Sequence, residues 1–324
     1  AAHAACPWWL TWDDHEVQND YAGEQPGDSG PPVADFAARR LAAYQAWYEH
    51  MPVRAATLGR ALAALAASAG SAGSAGPGAG REGRESGEAV RVYQRVDIGR
   101  LASLLLLDTR QHRDPQACVP QGRLGSSSFD PEGCSEWADP SRTLLGAAQE
   151  RWLDQTLARP GGTWTVLGQS TLFGMRDNLA GPGRRLWNDG WDGYPAARQR
   201  LTDALQRHAV ASPVLLGGDV HENWVGHVLA DYERPGARPV GVEFCGTSIT
   251  SRSGGNARTA QRLAENPHFV FAEGERKGYG LCEFTPGRLT TTLRVVEDVQ
   301  RADSGIQTLA RFTVEAGRSR IERD

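Results

Sequence analysis

The chain has 324 residues, of which 40% are hydrophobic and 23% charged, a composition typical of a folded globular protein. Its formal net charge is −4, which argues against a nucleic-acid partner, since such binding relies on excess positive charge. No run of about 18 apolar residues is present, so we expect no transmembrane segment.

A tryptophan-rich segment, PWWLTW, lies at residues 7–12 and is followed at once by an acidic cluster, DDHEVQND. The apolar run predicts a short buried strand, with the acidic cluster just past its end. Two interpretations of Asp13 remain open, namely a metal ligand or the N-cap of a following helix. The side-chain amide oxygen of Asn19 would suit a hard cation.

A helix is predicted from about Val33 to His50, and Pro52 ends it. Its apolar stripe consists of Ala37, Leu41, Tyr44 and Tyr48. Residues 61–89 are rich in Ala, Gly and Ser and cannot bury enough apolar surface to offset their ordering entropy. We therefore predict one catalytic domain over residues 1–324, with residues 61–89 as a flexible surface insertion.

Strands and helices alternate through the middle of the chain. The segments RVYQRVDIG and RLASLLLLDTRQHRD predict a strand pair, and the unbroken apolar run Leu104–Leu107 is typical of a strand buried on both faces. Further strands are predicted at TWTVLGQS and SPVLLGG. Helices are predicted around Gly146–Arg159, from about Pro195, and near Ala257–Glu265. After Asn223 the strand patterns predict an antiparallel tail, so the fold class is α/β.

Three predicted strands end in polar clusters, which are Asp13-Asp14-His15, Asp108-Thr109-Arg110 and Asp219-Val220-His221. Ligands of open α/β sheets bind beyond the carboxyl ends of the strands, so we expect the three clusters to converge.

Asp219 and His221 are two residues apart, which on a strand places both side chains on one face. The pair is then half of a metal site or, alternatively, a hydrogen-bonded turn pair without metal. Arg110 binds a phosphate in one interpretation and forms an internal salt bridge with Asp108 or Asp114 in the other.

Two further segments carry open alternatives. The aromatic stretch WNDGWDGYPAAR either lines a pocket or packs as a loop with its own small core. Cys118 and Cys134 bracket a polar loop, which favours a disulfide in an oxidising compartment over two free thiols.

Long strings of residues resemble a known family. AAHAACPWWLTWDDHEVQNDYA, LLLLDTRQHRD, WDGYPAAR, GGDVHENW and EFCGTSITS occur in the order, and with roughly the separations, of the PhoD-like alkaline phosphatases. These are secreted enzymes of the calcineurin-like metallophosphoesterase superfamily. The resemblance extends from residue 1 to about Pro286. It implies an α/β sandwich of two mixed β-sheets flanked by helices.

The resemblance also implies an activity. It implies hydrolysis of phosphate monoesters and diesters by a metal-bound hydroxide, with small phosphate esters as substrates, in a secreted or periplasmic protein. The implied cofactors are Ca²⁺ and Fe³⁺, with another divalent di-metal centre as the alternative. The residues that match metal ligands by position are Asn19, Asp219 and His221. The residues that match catalytic positions near the phosphate are Asp14, His15 and Arg110.

The family pattern is incomplete at its beginning. The family uses an upstream Cys, a Gly-Asp strand end whose Asp bridges the metals, and a Tyr shortly after, and these have no counterpart here. Cys6 lies in the wrong place to be that Cys. We therefore expect a catalytic domain whose N-terminal part is missing and which alone is weakly active or inactive. The alternative is a truncated or degenerate non-catalytic module that keeps the fold.

Overall fold

The computed structural model describes residues 2–53 and 91–324. The predicted insertion, residues 61–89, lies outside the described residues. Within the described ranges the α-helices are α1 (Phe36–His50), α2 (Ala147–Leu157), α3 (Pro195–Arg207) and α4 (Asn256–Glu265). The strands are β1 (Gln94–Ile98), β2 (Ala102–Leu106), β3 (Ser128–Phe129), β4 (Trp164–Gly168), β5 (Leu186–Trp187), β6 (Pro213–Gly217), β7 (Asn223–Leu229), β8 (Pro239–Cys245), β9 (Phe269–Glu273), β10 (Gly278–Phe284), β11 (Arg288–Val296), β12 (Ile306–Glu315) and β13 (Glu322–Arg323).

A seven-stranded mixed sheet forms the centre of the fold, in the order β1-β2-β4-β6-β8-β7-β9. Strands β2, β4, β6 and β8 run parallel to one another. Strands β1, β7 and β9 pair antiparallel with their neighbours. The predicted pair of β1 and β2 is confirmed, and β2 is the apolar strand expected to be covered on both faces.

A four-stranded sheet, β10-β11-β12-β13, packs against the large sheet. Two mixed sheets were expected, but this second sheet is antiparallel at every pairing. Short connections join its consecutive strands, and short connections allow only antiparallel neighbours. It is the antiparallel tail that the strand patterns after Asn223 predict, and the α/β sandwich is confirmed.

Two hydrophobic cores hold the large sheet from its two faces. On one face, Leu105 and Leu215 pack with Leu153 of α2 and Leu201 of α3. On the other face, Trp164, Val214 and Val242 pack with residues of the small sheet such as Leu293 and Phe312. Each fully buried side chain of this kind contributes about 1.5–3 kcal/mol to the free energy of folding. The two cores therefore hold the edge of the sheet in a fixed position.

The tryptophan-rich segment is not a strand, which corrects the sequence-based prediction. Its backbone pairs with none of the described strands, and Trp8 and Trp9 are 39% and 47% exposed. Only Trp12 is buried, stacked on Tyr44 of α1 with ring centroids 4.2 Å apart. The segment is therefore held to α1 by one buried aromatic ring, that of Trp12. Thr11 Oγ1 also donates a hydrogen bond to the Leu107 carbonyl oxygen (2.8 Å), just past β2.

Helix α1 begins at Phe36, three residues later than predicted. Asp35 is the N-cap, and its carboxylate accepts a hydrogen bond from the Ala38 backbone N–H (2.9 Å). The buried face carries Phe36, Tyr44 and Trp47, whereas Ala37 of the predicted stripe is exposed. Helices α2, α3 and α4 lie where the sequence predicts them. None of the helices in the described ranges combines the length and hydrophobicity that crossing a bilayer requires.

Candidate metal and active site

Polar residues that follow parallel strands meet at one edge of the large sheet. Strands β2, β4 and β6 are parallel neighbours, so their carboxyl ends share that edge. Arg110, beyond β2, donates from Nε to Asp13 Oδ1 (2.6 Å). Its Nη2 lies 3.7 Å from Oδ1 of Asp219, beyond β6. The predicted convergence of the three polar clusters is confirmed.

The turn after β6 carries the Asp219 and His221 side chains. Strand alternation does not place them, because β6 ends at Gly217 and both residues adopt left-handed backbone angles, with φ of 68° and 60°. Such angles are unfavourable for residues other than glycine and concentrate at functional sites. Thr171 Oγ1 donates to Asp219 Oδ2 (2.9 Å). A Cβ at Gly217 would collide with the Thr171 carbonyl oxygen, so the close approach of the backbone at residue 171 to the end of β6 requires glycine.

The His221 ring is oriented by a hydrogen bond to the backbone. Its Nδ1 lies 3.0 Å from the Arg252 carbonyl oxygen. A carbonyl oxygen only accepts, so Nδ1 carries a hydrogen, and in the neutral ring Nε2 then carries the lone pair. The His221 carbonyl oxygen in turn accepts from Lys277 Nζ (3.0 Å) and Thr247 Oγ1 (3.1 Å). This tautomer and these supports are what a metal-binding histidine needs.

The acidic segment folds into turns around Asp14. The Asp14 carboxylate accepts from the backbone N–H groups of His15 (2.9 Å) and Asp20 (2.8 Å), and the side chain is almost fully buried. No helix follows within this described segment, so the N-cap interpretation of Asp13 is wrong. Trp12, and Tyr21 through its hydroxyl contact with Tyr44 (3.2 Å), fasten the segment to α1.

Two groups of three carboxylates share Asp14. In one group it lies with Asp13 and Asp219, and in the other with Asp20 and Asp189; within each, the oxygens lie within 4.8 Å of one another. Burial and the charge of Asp13 raise the pKa of Asp219 well above its usual range. Burial and the charge of Asp189 raise the pKa of Asp20 to about 6. Carboxylates this close need protons or a cation, and their oxygens suit hard metal ions.

Asp189 completes this cluster and is almost fully buried. It accepts from Arg110 Nη1 (2.6 Å), from Gln116 Nε2 (2.7 Å), and from Arg113. Burial alone would raise the pKa of Asp189, but the charges of Arg110 and Arg113 outweigh burial and hold this pKa well below its usual range. Asp189 therefore stays ionised beside the other carboxylates.

Arg110 has no exposed surface and pairs with Asp13 and Asp189. Arg110 forms salt bridges, as one of the two interpretations predicts, but the predicted partners Asp108 and Asp114 are wrong. The Asp108 carboxylate instead accepts from the backbone N–H groups of Arg110 and Gln111 (3.0 Å each). Contact between Arg110 and a phosphate stays a prediction, and its ion pairs favour a role in positioning the carboxylates.

A cavity of about 540 Å³ opens over the carboxylates. It is lined by five of the six predicted site residues, which are Asp14, His15, Asn19, Asp219 and His221. Arg110 lies behind this lining. The Asn19 amide nitrogen donates to Asp20 Oδ2 (2.6 Å), while the His15 side chain is exposed.

The sequence alone did not single out Asp189 or Thr171. Asp189 belongs to the aromatic stretch WNDGWDGYPAAR, which lines the cavity as one interpretation predicts; its Trp191 and Tyr194 are buried in the main core and do not form a separate small core. That stretch was the available signal for Asp189. Thr171 follows β4 at the sheet edge as the other site residues do, and its position there was the only indication.

Comparison with known proteins points to one family. The sequence model of the PhoD-like phosphatase family matches residues 1–293. Alkaline phosphatase D of Bacillus subtilis (strain 168) is 37% identical over 316 residues, which cover 96% of this chain and 48% of that protein. A solved structure of PhoD superposes with a TM-score of 0.82 at 36% identity, over 99% of this chain and 55% of that one. The chain thus spans about half the length of the curated relative that it matches.

Proposed function

This chain belongs to the PhoD-like phosphatase family, and from that premise we propose that it takes part in metal-dependent hydrolysis of phosphate monoesters and diesters. The observation that carries the proposal is that two clusters of three carboxylates each, with Asp14 in both, lie at the cavity. Carboxylates pressed together in this way favour bound cations, and cations attract a phosphate.

The residues fit hard metal ions. Carboxylate oxygens, an amide oxygen from Asn19, and the free Nε2 of His221 form a mixed oxygen and nitrogen donor set. We propose that Asn19, Asp219 and His221 hold the metals, with Ca²⁺ and Fe³⁺ as the ions and another divalent pair as the alternative. When bound, the ions would supply Lewis acidity and positive charge against the phosphate.

The remaining side chains act on the substrate or on the metal-binding groups. We propose that His15 holds or delivers a proton at the leaving oxygen of the ester, which its exposure at the cavity supports. Asp14 keeps the loop that carries His15 and Asp20 in place through its two backbone hydrogen bonds. Arg110 fixes Asp13 and Asp189 and compensates their charge from beneath the cavity.

The alternative, a non-catalytic module that keeps only the fold, is not favoured. The family match covers most of the chain, and the carboxylates and His221 meet at one cavity. We also propose that the protein works outside the cytoplasm. The Cys118–Cys134 disulfide supports this, because such bonds persist mainly in oxidising compartments.

The test compares Asp219→Asn with Asp203→Asn, an exposed aspartate on α3, in hydrolysis of bis-p-nitrophenyl phosphate and in metal content. We expect Asp219→Asn to lower the metal content, since a carboxylate ligand is lost, and to lower any rate that the chain shows by about 100-fold or more. Asp203→Asn should match the unchanged protein. Hydrolysis that survives both chelation and Asp219→Asn, or a protein that neither binds metal nor turns over substrate, contradicts the proposal.

A further inference from the structure

Four arginine side chains line the same cavity as the carboxylates: Arg176, Arg252, Arg258 and Arg262. The carboxylate among them is Glu222, which is almost fully buried and lies 3.4 Å from both Arg176 and Arg262. In the described parts of the chain, Arg252 and Arg258 form no ion pair. Arg176 and Arg262 thus share Glu222, whereas Arg252 and Arg258 have no carboxylate partner in the described ranges, so this arginine cluster attracts an anion.

Arg262 has unused hydrogen-bonding capacity. Its side chain is 9% exposed, and its buried Nε has no hydrogen-bond partner among the described residues. Burial, together with the charge of Arg176, lowers the pKa of Arg262 to about 10. A buried donor without a partner is costly, and the Arg262 side chain also lines the cavity, where an anionic acceptor would add contacts to its guanidinium group.

The arginine cluster is fastened to the candidate metal ligand His221. The Arg252 carbonyl oxygen accepts from His221 Nδ1, and Lys277 Nζ bridges the His221 carbonyl oxygen (3.0 Å) and Ser253 Oγ (3.3 Å). An anion at the arginines would therefore sit next to a phosphate held at the carboxylate end of the cavity. One substrate molecule can occupy both places.

We propose that the arginine cluster is a subsite for a second phosphate group, so that the preferred substrates carry another phosphate beside the scissile one. The proposal rests on the proposed function for the identity of the first phosphate. Phosphate is the group that guanidinium forks match, through paired charge-assisted hydrogen bonds, and its charge near −2 suits the excess of positive charge. An ester with a neutral leaving group leaves the arginines unsatisfied.

The test is equilibrium binding by calorimetry, with the full metal-loaded chain and non-hydrolysable ligands. Methylenediphosphonate carries two phosphonates, methylphosphonate carries one, and phosphonoacetate carries a carboxylate in place of the second. The test variant is Arg252→Gln/Arg258→Gln, which removes two exposed arginines from the cavity. The matched control is Arg318→Gln/Arg320→Gln, two exposed arginines elsewhere. Any metal stripping by the diphosphonate affects both variants alike.

We expect the unchanged protein to prefer methylenediphosphonate over both other ligands. This preference should fall about tenfold in the test variant, the effect of two partly screened charges, and persist in the control. A preference that survives in the test variant, is absent from the unchanged protein, or is equally large for phosphonoacetate overturns the proposal. Because binding is measured without turnover, failure of the proposed hydrolysis would be seen separately.

Discussion

A buried arginine organises the carboxylates of this site. Arg110 contacts Asp13 and Asp189 at 2.6 Å, and both bonds are made from inside the protein. Burying a charge is costly unless it is paired, so each partner depends on the others. By its contacts, Arg110 is the counter-ion that lets several aspartates lie close together, while its contact with a phosphate stays a prediction.

Replacing Arg110 with Gln tests this dependence. The change leaves Asp13 without the Arg110 cation and Asp189 with Arg113 alone, and we expect the free energy of unfolding to fall by about 3–5 kcal/mol. The matched control is Arg123→Gln, which breaks an exposed pair with Asp28 at 2.6 Å and should cost far less, because solvent screens that pair. Urea unfolding followed by tryptophan fluorescence measures both. If the free energy of unfolding falls equally in the two variants, burial of the Arg110 ion pairs adds nothing to their contribution to stability.

At the scale of single elements, the loop between Cys118 and Cys134 supports one wall of the cavity. The two cysteines form a disulfide, as their bracketing of a polar loop predicts. Inside the loop, Ser126 donates to the Asp20 carboxylate, and Ser128 begins β3, which pairs with β5. The bond packs against a small cluster that includes Trp137. Covalent closure therefore limits how far the loop can move from Asp20.

Removal of the disulfide should cost stability. For Cys118→Ala/Cys134→Ala we expect the free energy of unfolding to fall by about 3 kcal/mol, the entropy that closing a loop of this length removes from the unfolded chain. Cys6→Ala, at an exposed free thiol, serves as the control and should have no effect. Thermal or urea unfolding under non-reducing conditions gives the comparison. If the double variant unfolds at the same urea concentration as Cys6→Ala, the loop closure is unimportant.

At the scale of the whole molecule, Glu243 connects the large sheet to the segment after β4. This glutamate of β8 is almost fully buried and accepts from the backbone N–H groups of Phe173 (2.6 Å) and Gly174 (2.9 Å). The same segment carries Thr171, the hydrogen-bond partner of Asp219. Burial raises the pKa of Glu243 to about 7, even though these two hydrogen bonds lower it.

This raised pKa predicts a pH dependence of stability. Between the usual pKa of 4.5 and about 7, the folded protein binds a proton at Glu243 that the unfolded chain has released. Stability from this group is thus fully present below pH 4.5 and is lost as the pH rises to about 7, by about 3 kcal/mol.

Glu243→Gln mimics the protonated form and should remove this fall. Urea unfolding at a series of pH values from 4 to 8, in constant chelator, compares the variant with the unchanged protein. The buried His268, whose pKa burial lowers to about 4, titrates equally in both proteins and cancels in the difference. Parallel pH profiles for the two proteins would show that Glu243 does not titrate in this range.

Much of the fold follows from the sequence alone. Periodicity and turn residues place α2, α3 and α4, the strands of the large sheet other than β9, and the antiparallel tail, because these signals report on neighbours a few residues away. The polar clusters after apolar strands also predict which residues gather at one sheet edge, since parallel strands share that edge. The disulfide follows from local loop composition.

Only the tertiary structure decided how the site is built. Arg110 reaches Asp13 across 97 positions of the chain and Asp189 across 79, and no local pattern records such pairings. The opening tryptophans have the local pattern of a strand, but no described strand lies beside them to take up their backbone hydrogen bonds. Residue types thus determined the chemistry available to this protein. The packing of distant segments decided which carboxylates share a cavity, because charge compensation depends on distance in space.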